Sequence, residues 1–144
     1  MVAKGKTLKM KIYIASSYQR HSTVNNKIFD TLKTIGYTVF LPESIGIDAL
    51  SADEQFNVSE KCFHEIDDSD IIIAVYPFGL SVSSEIGYAI GHIRNNDKKC
   101  IIMLNISEKP SIIHTEAMIM PYIRKEVFTI QQLVEYIKTL DNKK

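Results

Sequence analysis

Short runs of apolar residues recur along the chain and predict the strands of a sheet. Residues 11–15 (KIYIA), 71–76 (IIIAVY) and 99–104 (KCIIML) show almost no polar alternation, which is typical of strands covered on both faces. Residues 37–41 (YTVFL) are β-branched and aromatic and end at Pro42. The pattern therefore predicts four strands, and we expect a fifth, short strand at residues 126–129.

Four further segments have apolar residues at helical spacing. Residues 25–35 place Ile28, Leu32 and Ile35 on one face before Gly36, which predicts a helix with a glycine C-cap. Residues 53–69 predict a helix with an acidic, mostly solvated C-terminal end, and residues 82–94 and 127–140 predict two more helices.

The alternation of strands and helices predicts one α/β domain over residues 11–144, after a flexible N-terminal extension of residues 1–10. We expect a doubly wound, flavodoxin-like, three-layer fold with a five-stranded parallel sheet in the order 2-1-3-4-5. Ligands of such sheets bind beyond the carboxyl ends of the strands, at the switch point between strands 1 and 3. That rule places the loops at residues 16–23 and 77–85 face to face.

Charge and composition limit the classes of partner. The chain has 144 residues and 17 residues of each charge sign, so its overall charge favours neither a nucleic acid polymer nor a membrane surface. No segment resembles a signal peptide or a bilayer span, which predicts a soluble, cytoplasmic protein. Cys62 and Cys100 lack metal-ligand spacing and are expected to be buried free thiols.

Glu85 is the main candidate for chemistry. It is expected in the first turn of the third helix, where the helix dipole favours an ionised carboxylate. It can simply support the helix start, but a capping box would need Ser or Thr at Val82. Ser81 or Ser83 can cap the helix alone, and the remaining hydroxyl and N–H groups can hold a ligand hydroxyl or phosphate.

The first loop supplies Tyr18, Arg20 and His21, which offer an aromatic face, a fixed cation and a titratable ring. Taken alone, each of these residues is more often ordinary loop surface. Asp70 stands at the amino end of its strand and would need a particular local path to reach the site. The remaining histidines have no ligand spacing and are interpreted as structural, so we expect no metal and no cofactor: His64, His92 and His114.

Four segments together resemble the nucleoside 2-deoxyribosyltransferase family, including its 5′-monophosphate N-glycosidase relatives. They are KIYIASSY with its loop arginine, GYTVFLP, DSDIIIAVY and SSEIGYAIGH, and the last is the most specific. The resemblance implies an enzyme that cleaves the N-glycosidic bond of a (deoxy)nucleoside or its 5′-monophosphate and transfers the sugar to another base or to water. Glu85 would be the nucleophile and form a covalent glycosyl-enzyme.

The resemblance also implies roles for other residues. Asp70 would be a proton donor or orienting group for the departing base, and Ser16, Tyr18 and Arg20 would line the pocket. Gly79 stands where transferases of the family usually have an Asp, and Ser81 and Ser83 lie where phosphate-preferring relatives carry a serine. The family also implies a homodimer or larger homo-oligomer, with Ser107, Ser111 or His114 as the groups donated by a neighbouring subunit.

A non-catalytic module on the same scaffold is the competing hypothesis. A phospho-receiver is disfavoured because the loop ASSYQR lacks the acidic pair that binds Mg²⁺. An FMN-binding or other nucleotide-binding signalling module stays open, because Ser16, Ser17, Ser22 and Thr23 can cradle a phosphate.

Overall fold

The computed structural model describes residues 10–42, 51–109 and 117–142. Within these residues, the strands are β1 (Lys11–Ala15), β2 (Thr38–Phe40), β3 (Ile71–Tyr76), β4 (Cys100–Asn105) and β5 (Ile123–Val127). The helices are α1 (Ser22–Ile35), α2 (Ala52–Asp68), α3 (Leu80–Arg94) and α4 (Ile130–Asp141). No described helix is both long and apolar enough to cross a membrane.

The five strands form one fully parallel sheet in the order β2-β1-β3-β4-β5. This arrangement confirms the predicted α/β fold and the predicted strand order. The two central strands, β1 and β3, pair from Ile12 opposite Ile71 to Ala15 opposite Ala74. Because all strands point the same way, the loops that follow β1 and β3 leave the sheet at the same edge, here called the carboxyl edge.

Hydrophobic side chains cover both faces of the sheet. On one face, Ile12 and Ile73 pack with Ile28 of α1 and Leu133 of α4. On the other face, strand residues pack against α2 and α3, with members that include Tyr13, Ile72, Cys62, Ile66 and Ile86. The continuous apolar runs are therefore buried on both sides, as the sequence predicts.

Two other predicted features fall on or near the core. Met10, which the sequence analysis assigns to the N-terminal extension, is buried with the α1 and α4 cluster, and residues 1–9 lie outside the described residues. Cys62 and Cys100 are free and buried, which confirms their prediction as buried thiols.

Local sequence signals explain where two helices end or begin. Gly36 adopts φ 117°, and its N–H donates to the carbonyls of Leu32 at 3.2 Å and Lys33 at 3.0 Å. This left-handed conformation favours glycine and confirms the predicted C-cap. At the start of α2, Ser51 Oγ accepts from the Glu54 N–H at 3.2 Å, and the Ser51 N–H donates to Glu54 Oε1 at 2.9 Å. Together they form a capping box.

The prediction was wrong about the boundary between β5 and α4. The strand occupies Ile123–Val127 rather than residues 126–129, and the helix begins at Ile130 rather than at residue 127. Thr129 is the N-cap, with Oγ1 accepting from the Gln132 N–H at 3.0 Å. Because β5 is an edge strand, it tolerates the polar run RKE. A strand with this run lacks the continuous apolar pattern by which the other strands are predicted.

A charged cluster joins elements at the opposite, amino edge of the sheet. The Lys99 ammonium is almost fully buried and donates to the carbonyls of Asp67 at 2.8 Å and Ser69 at 2.9 Å. His92 lies between two carboxylates, with Nε2 2.7 Å from Asp67 Oδ1 and Nδ1 3.1 Å from Asp97 Oδ2. Asp67, at the acidic end of α2, is thus paired, whereas the sequence predicts that most of this end is solvated.

Replacing Lys99 by Met should lower the free energy of unfolding by about 2–3 kcal/mol, because two buried carbonyls lose their donor. Met keeps most of the buried stem, so packing changes little. Urea unfolding of the variant measures the loss. The exposed neighbour provides the control: Lys98→Met should stay within about 0.5 kcal/mol of wild type. Equal losses in both variants would contradict this role of Lys99.

Candidate active site

A pocket of about 630 Å³ opens at the carboxyl edge, beside the ends of β1 and β3. Residues 16–20 of the β1–α1 loop form one wall, and residues 58, 59, 62 and 63 of α2 form another. Residues 79–82 and Glu85, from the start of α3, form the third. The two loops that the sequence analysis places face to face therefore line one pocket.

Glu85 lies deeper in its helix than the sequence analysis expects. The helix α3 begins at Leu80 after an N-cap at Gly79, so Glu85 is its sixth residue, and the first turn holds no acidic residue. The prediction of a first-turn position was wrong, because the start of the helix was placed two residues too late. The helix dipole acts mainly over the first turn, so it contributes little to the ionisation of this carboxyl group.

The ionisation of Glu85 is controlled by its surroundings. Burial raises the pKa of Glu85 to about 7, and a hydrogen bond from Tyr13 opposes this rise. The Tyr13 phenol donates this bond to Glu85 Oε2. Among the described residues, none hydrogen-bonds the other oxygen, Oε1. The carboxylate is thus fixed through one oxygen, while the second is available to a molecule in the pocket.

The raised pKa makes the stability of the fold depend on pH. A carboxyl group with a raised folded-state pKa contributes stability that is complete below about pH 4.5 and is lost as the pH rises through about 7. Glu85→Gln removes this titration. The free energy of unfolding of the variant, relative to that of wild type, should therefore increase by on the order of 3 kcal/mol as the pH rises from 5 to 8. Thermal or urea unfolding at both pH values measures the gain, and a constant difference would contradict it.

Tyr13 makes a contact at the candidate site that the sequence pattern does not predict. Its ring is fully buried and stacks on Phe40 with the ring centroids 5.5 Å apart. Burial and the Glu85 carboxylate raise the pKa of the Tyr13 phenol above its ordinary value, so it remains a hydrogen-bond donor. The only signal in the sequence was a hydroxyl-bearing residue in the middle of the apolar run KIYIA.

Cys62 of α2 lies beside the same phenol and lines the pocket. Burial raises the pKa of its thiol. The side chain is therefore a thiol that packs against the Tyr13–Glu85 pair. We interpret it as part of the wall that shields this pair from water.

Hydrogen bonds hold the β1–α1 loop in place. Asn25 Nδ2 donates to the Ser17 carbonyl at 3.2 Å, and the Arg20 N–H donates to Ser17 Oγ at 3.2 Å. His21 does not line the pocket; its Nε2–H donates to the Pro77 carbonyl at 3.1 Å and links the two loops. Of the predicted loop residues, Ser16, Tyr18 and Arg20 all line the pocket, and Arg20 is exposed.

The start of α3 differs from the expected capping arrangement. The N-cap is Gly79, and no side chain caps the helix, so the prediction that Ser81 or Ser83 caps it was wrong. Ser83 Oγ instead donates to the Gly79 carbonyl at 3.1 Å and does not line the pocket. Gly79 and Ser81 do line it, and Ser81 is exposed.

The structure does not bring Asp70 to the pocket. Its carboxylate Oδ2 accepts from the Lys11 N–H at 2.9 Å, where β1 begins, and its backbone joins β1 and β4 at the amino edge. The pocket lies at the other end of these strands. A direct contact between Asp70 and a molecule held by Glu85 would require the chain to take a different path.

The position of Asp70 gives a direct test of the role that the family resemblance implies. Asp70→Asn keeps an oxygen that can accept from Lys11, so we expect any activity that depends on Glu85 to stay within about threefold of wild type. A role in protonating a leaving group would instead lower the rate by a factor of about 100 or more. Steady-state kinetics of the variant distinguish the two.

Ser107, Ser22 and Thr23 do not line this pocket. Ser107 Oγ lies within hydrogen-bond distance of two acceptors, Asn105 Oδ1 at 2.7 Å and the Lys109 carbonyl at 2.8 Å, while Ser111 and His114 lie outside the described residues. Ser22 and Thr23, proposed for an FMN phosphate, are exposed and do not line the pocket. The described His, Cys, Asp and Glu side chains form no group of three or more that could hold a metal ion.

Several solved structures share this fold. A 2-deoxyribosyltransferase from Bacillus psychrosaccharolyticus superposes with a TM-score of 0.69 and 18% identity, over 85% of this chain and 89% of that one. A conserved protein from Enterococcus faecalis superposes with a TM-score of 0.67 and 15% identity, over 91% of this chain and 98% of that one. A 2-desoxiribosyltransferase from Leishmania mexicana superposes with a TM-score of 0.60 and 15% identity, over 90% of this chain and 97% of that one. No protein-family model and no curated protein sequence matches the chain.

Proposed function

We propose that this protein cleaves the N-glycosidic bond of nucleosides or their 5′-monophosphates, with Glu85 as the nucleophile. The observation that carries the proposal is a carboxylate at the pocket wall, held through one oxygen by the buried phenol of Tyr13. The fold shared with two deoxyribosyltransferases supports a nucleoside as the substrate.

The reaction proceeds by two displacements. Oε1 of ionised Glu85 attacks the anomeric carbon, a C–O bond forms, and the C–N bond breaks with its electron pair leaving on the base. The departing base takes up a proton from water, and the sugar remains as an ester of Glu85. An acceptor base or water then attacks the same carbon, loses a proton and releases Glu85, so the configuration at that carbon is retained.

Tyr13 has a positioning role in this scheme. Its hydrogen bond to Oε2 limits the rotation of the carboxylate and leaves Oε1 as the oxygen for attack. The same bond stabilises the ionised form of Glu85, which burial disfavours. The result is a carboxylate that is ionised in a large fraction of molecules near pH 7 but is poorly solvated.

The rim of the pocket supports 5′-monophosphates among the substrates. Arg20 and Ser81 both line the pocket and are exposed, so they supply a cation and a hydroxyl for a phosphate. Gly79 leaves open space where a side chain could stand. Ser83 is not part of this proposal, because its hydroxyl is bonded to the Gly79 carbonyl and lies off the pocket.

We also propose that the protein works as a homodimer or larger homo-oligomer. Leu80 lines the pocket yet is 92% exposed, so an apolar side chain stands uncovered at the rim. A neighbouring subunit would cover this side chain and close the pocket. Light scattering measures the mass in solution, and a monomer at all concentrations would overturn this part of the proposal.

The function is tested by incubation with a panel of ribo- and 2′-deoxynucleosides and their 5′-monophosphates. Each reaction is run with and without a second base, and chromatography follows the free base and any new nucleoside. Release without an acceptor identifies hydrolysis, and exchange identifies transfer. Intact-protein mass spectrometry of quenched reactions should show the added mass of the sugar, localised to Glu85.

Two results would count against the proposal. If the protein neither releases nor exchanges base with any member of the panel, the catalytic function fails. If base is released but no sugar adduct is found and the Glu85→Gln protein is equally active, the catalytic function stands and the covalent step through Glu85 fails.

A further inference from the structure

We propose that Ser16 and Asn25 form a subsite that receives a neutral, hydrogen-bond-donating group of the substrate, either a sugar hydroxyl or an amino group of the base. The subsite belongs to the same pocket as Glu85, so the identity of the substrate rests on the proposed function. One end of the pocket then selects for a hydrogen-bond donor rather than for a phosphate.

Two polar atoms in this part of the pocket have no partner. Ser16 Oγ and Asn25 Oδ1 are buried, and no described residue hydrogen-bonds either atom. Both residues line the pocket, and Asn25 is fully buried. More than about nine in ten buried polar groups in proteins are hydrogen-bonded, and an unpaired one costs about 1–3 kcal/mol. These two atoms therefore need a partner that enters through the pocket.

The chemistry of the partner follows from the orientation of the Asn25 amide. Its Nδ2 donates to the Ser17 carbonyl at 3.2 Å. Turning the amide over would place Oδ1 against that carbonyl, so that two acceptors would face each other. The unpaired atom of Asn25 is thus an acceptor. It would repel a phosphate or carboxylate oxygen and would bind an O–H or N–H group.

Ser16 complements this acceptor. Its hydroxyl can donate one hydrogen bond and accept others, so it can bind the same sugar hydroxyl or amino group from another side. Arg20 and Ser81, by contrast, are the exposed groups that suit an anion. The pocket therefore has a buried end that recognises a donor and an exposed rim that tolerates charge. A nucleoside or nucleotide can satisfy both regions at once.

The test uses substrate pairs that differ in one donor. For the base, 2′-deoxyadenosine is compared with the 2′-deoxynucleoside of purine, which lacks the amino group. For the sugar, 2′-deoxyadenosine is compared with its analogues that lack the 3′-hydroxyl or the 5′-hydroxyl. Dissociation constants are measured by calorimetry in the non-reacting Glu85→Gln protein, and KM and kcat in the protein with Glu85 intact.

Ser16→Ala is the primary variant, because Ser16 Oγ makes no bond whose loss would disturb the fold. The variant should bind the ligand that carries the recognised donor about 5- to 20-fold more weakly. Its affinity for the analogue that lacks this donor, and its kcat, should change little. Asn25→Leu should have the same selective effect.

The outcomes separate this inference from the proposed function. If Ser16→Ala and Asn25→Leu weaken all analogues equally or not at all, the two atoms bind only water and the inference is overturned. If the donor pairs are distinguished in binding but the wild-type protein cleaves neither them nor any member of the nucleoside and 5′-monophosphate panel, the subsite stands and the proposed function fails. If no analogue binds, the inference is overturned, and the panel of nucleosides and 5′-monophosphates decides the proposed function separately.

Discussion

Replacing Glu85 by Gln is expected to lower kcat for N-glycosidic cleavage by about 10³-fold or more, because an amide oxygen cannot form the glycosyl ester. Gln has the same shape and can still accept the Tyr13 hydrogen bond, so the pocket should keep its structure and its affinity for substrate. Single-turnover release of base, measured by chromatography, gives the rate. The sugar adduct seen by mass spectrometry should disappear in the same variant.

The control for this variant is Glu60→Gln, which removes a carboxylate from an exposed position of α2 outside the pocket. It should keep wild-type kcat within about twofold. A comparable loss in both variants would point to a general effect of charge rather than to a nucleophile.

The pH dependence of the wild-type rate follows from the same residue. The nucleophile must be ionised, and the pKa of Glu85 is raised to about 7 by burial. We expect kcat/KM to fall about tenfold per pH unit well below pH 7 and to reach a plateau above it. A plateau that extends down to pH 5 would show that a different group limits the reaction.

Removing the Tyr13 hydroxyl should give the second large loss. Tyr13→Phe keeps the ring that stacks on Phe40 but deletes the hydrogen bond to Glu85 Oε2. Hydrogen bonds to charged groups contribute about 1.5–3 kcal/mol, so kcat/KM at neutral pH should fall about 10- to 100-fold. Because this bond lowers the pKa of Glu85, its loss should also move the midpoint of the pH profile upwards.

Tyr37→Phe is the matched control. Tyr37 also donates to a carboxylate, Asp141 Oδ2 at 3.4 Å, but it lies outside the pocket. Its loss should leave both the rate and the pH midpoint unchanged. If Tyr13→Phe likewise left the midpoint in place, Tyr13 would not control the ionisation of Glu85, and its effect would be ordinary packing.

The parts of the fold that the sequence predicts well depend on local patterns. The apolar run of β3 and the glycine after α1 each carry their signal within a few residues, because burial on two faces and a left-handed C-cap constrain the local residue types. The boundary at β5 was missed for the converse reason. An edge strand is stabilised by its single paired neighbour, so its own residues can be charged.

The site was harder to predict because its key contact joins residues distant in sequence. Tyr13 and Glu85 are 72 positions apart, and each has an ordinary local explanation in a strand or helix. The likeness of the EIGYA segment to a known family singled out Glu85, whereas nothing comparable marked Tyr13. Asp70 shows the opposite case, since the resemblance suggested a role and the parallel sheet places the residue at the far edge.

The separation of the two sheet edges also bears on how this protein can change over evolution. The pairs made by Lys99, His92 and Lys11 lie at the amino edge, a full strand length from the pocket. Substitutions at the exposed positions Arg20 or Ser81 can therefore alter ligand preference without weakening the polar contacts at the amino edge. A scaffold built in this way can acquire new substrates while keeping a reserve of stability to absorb the mutations that introduce them.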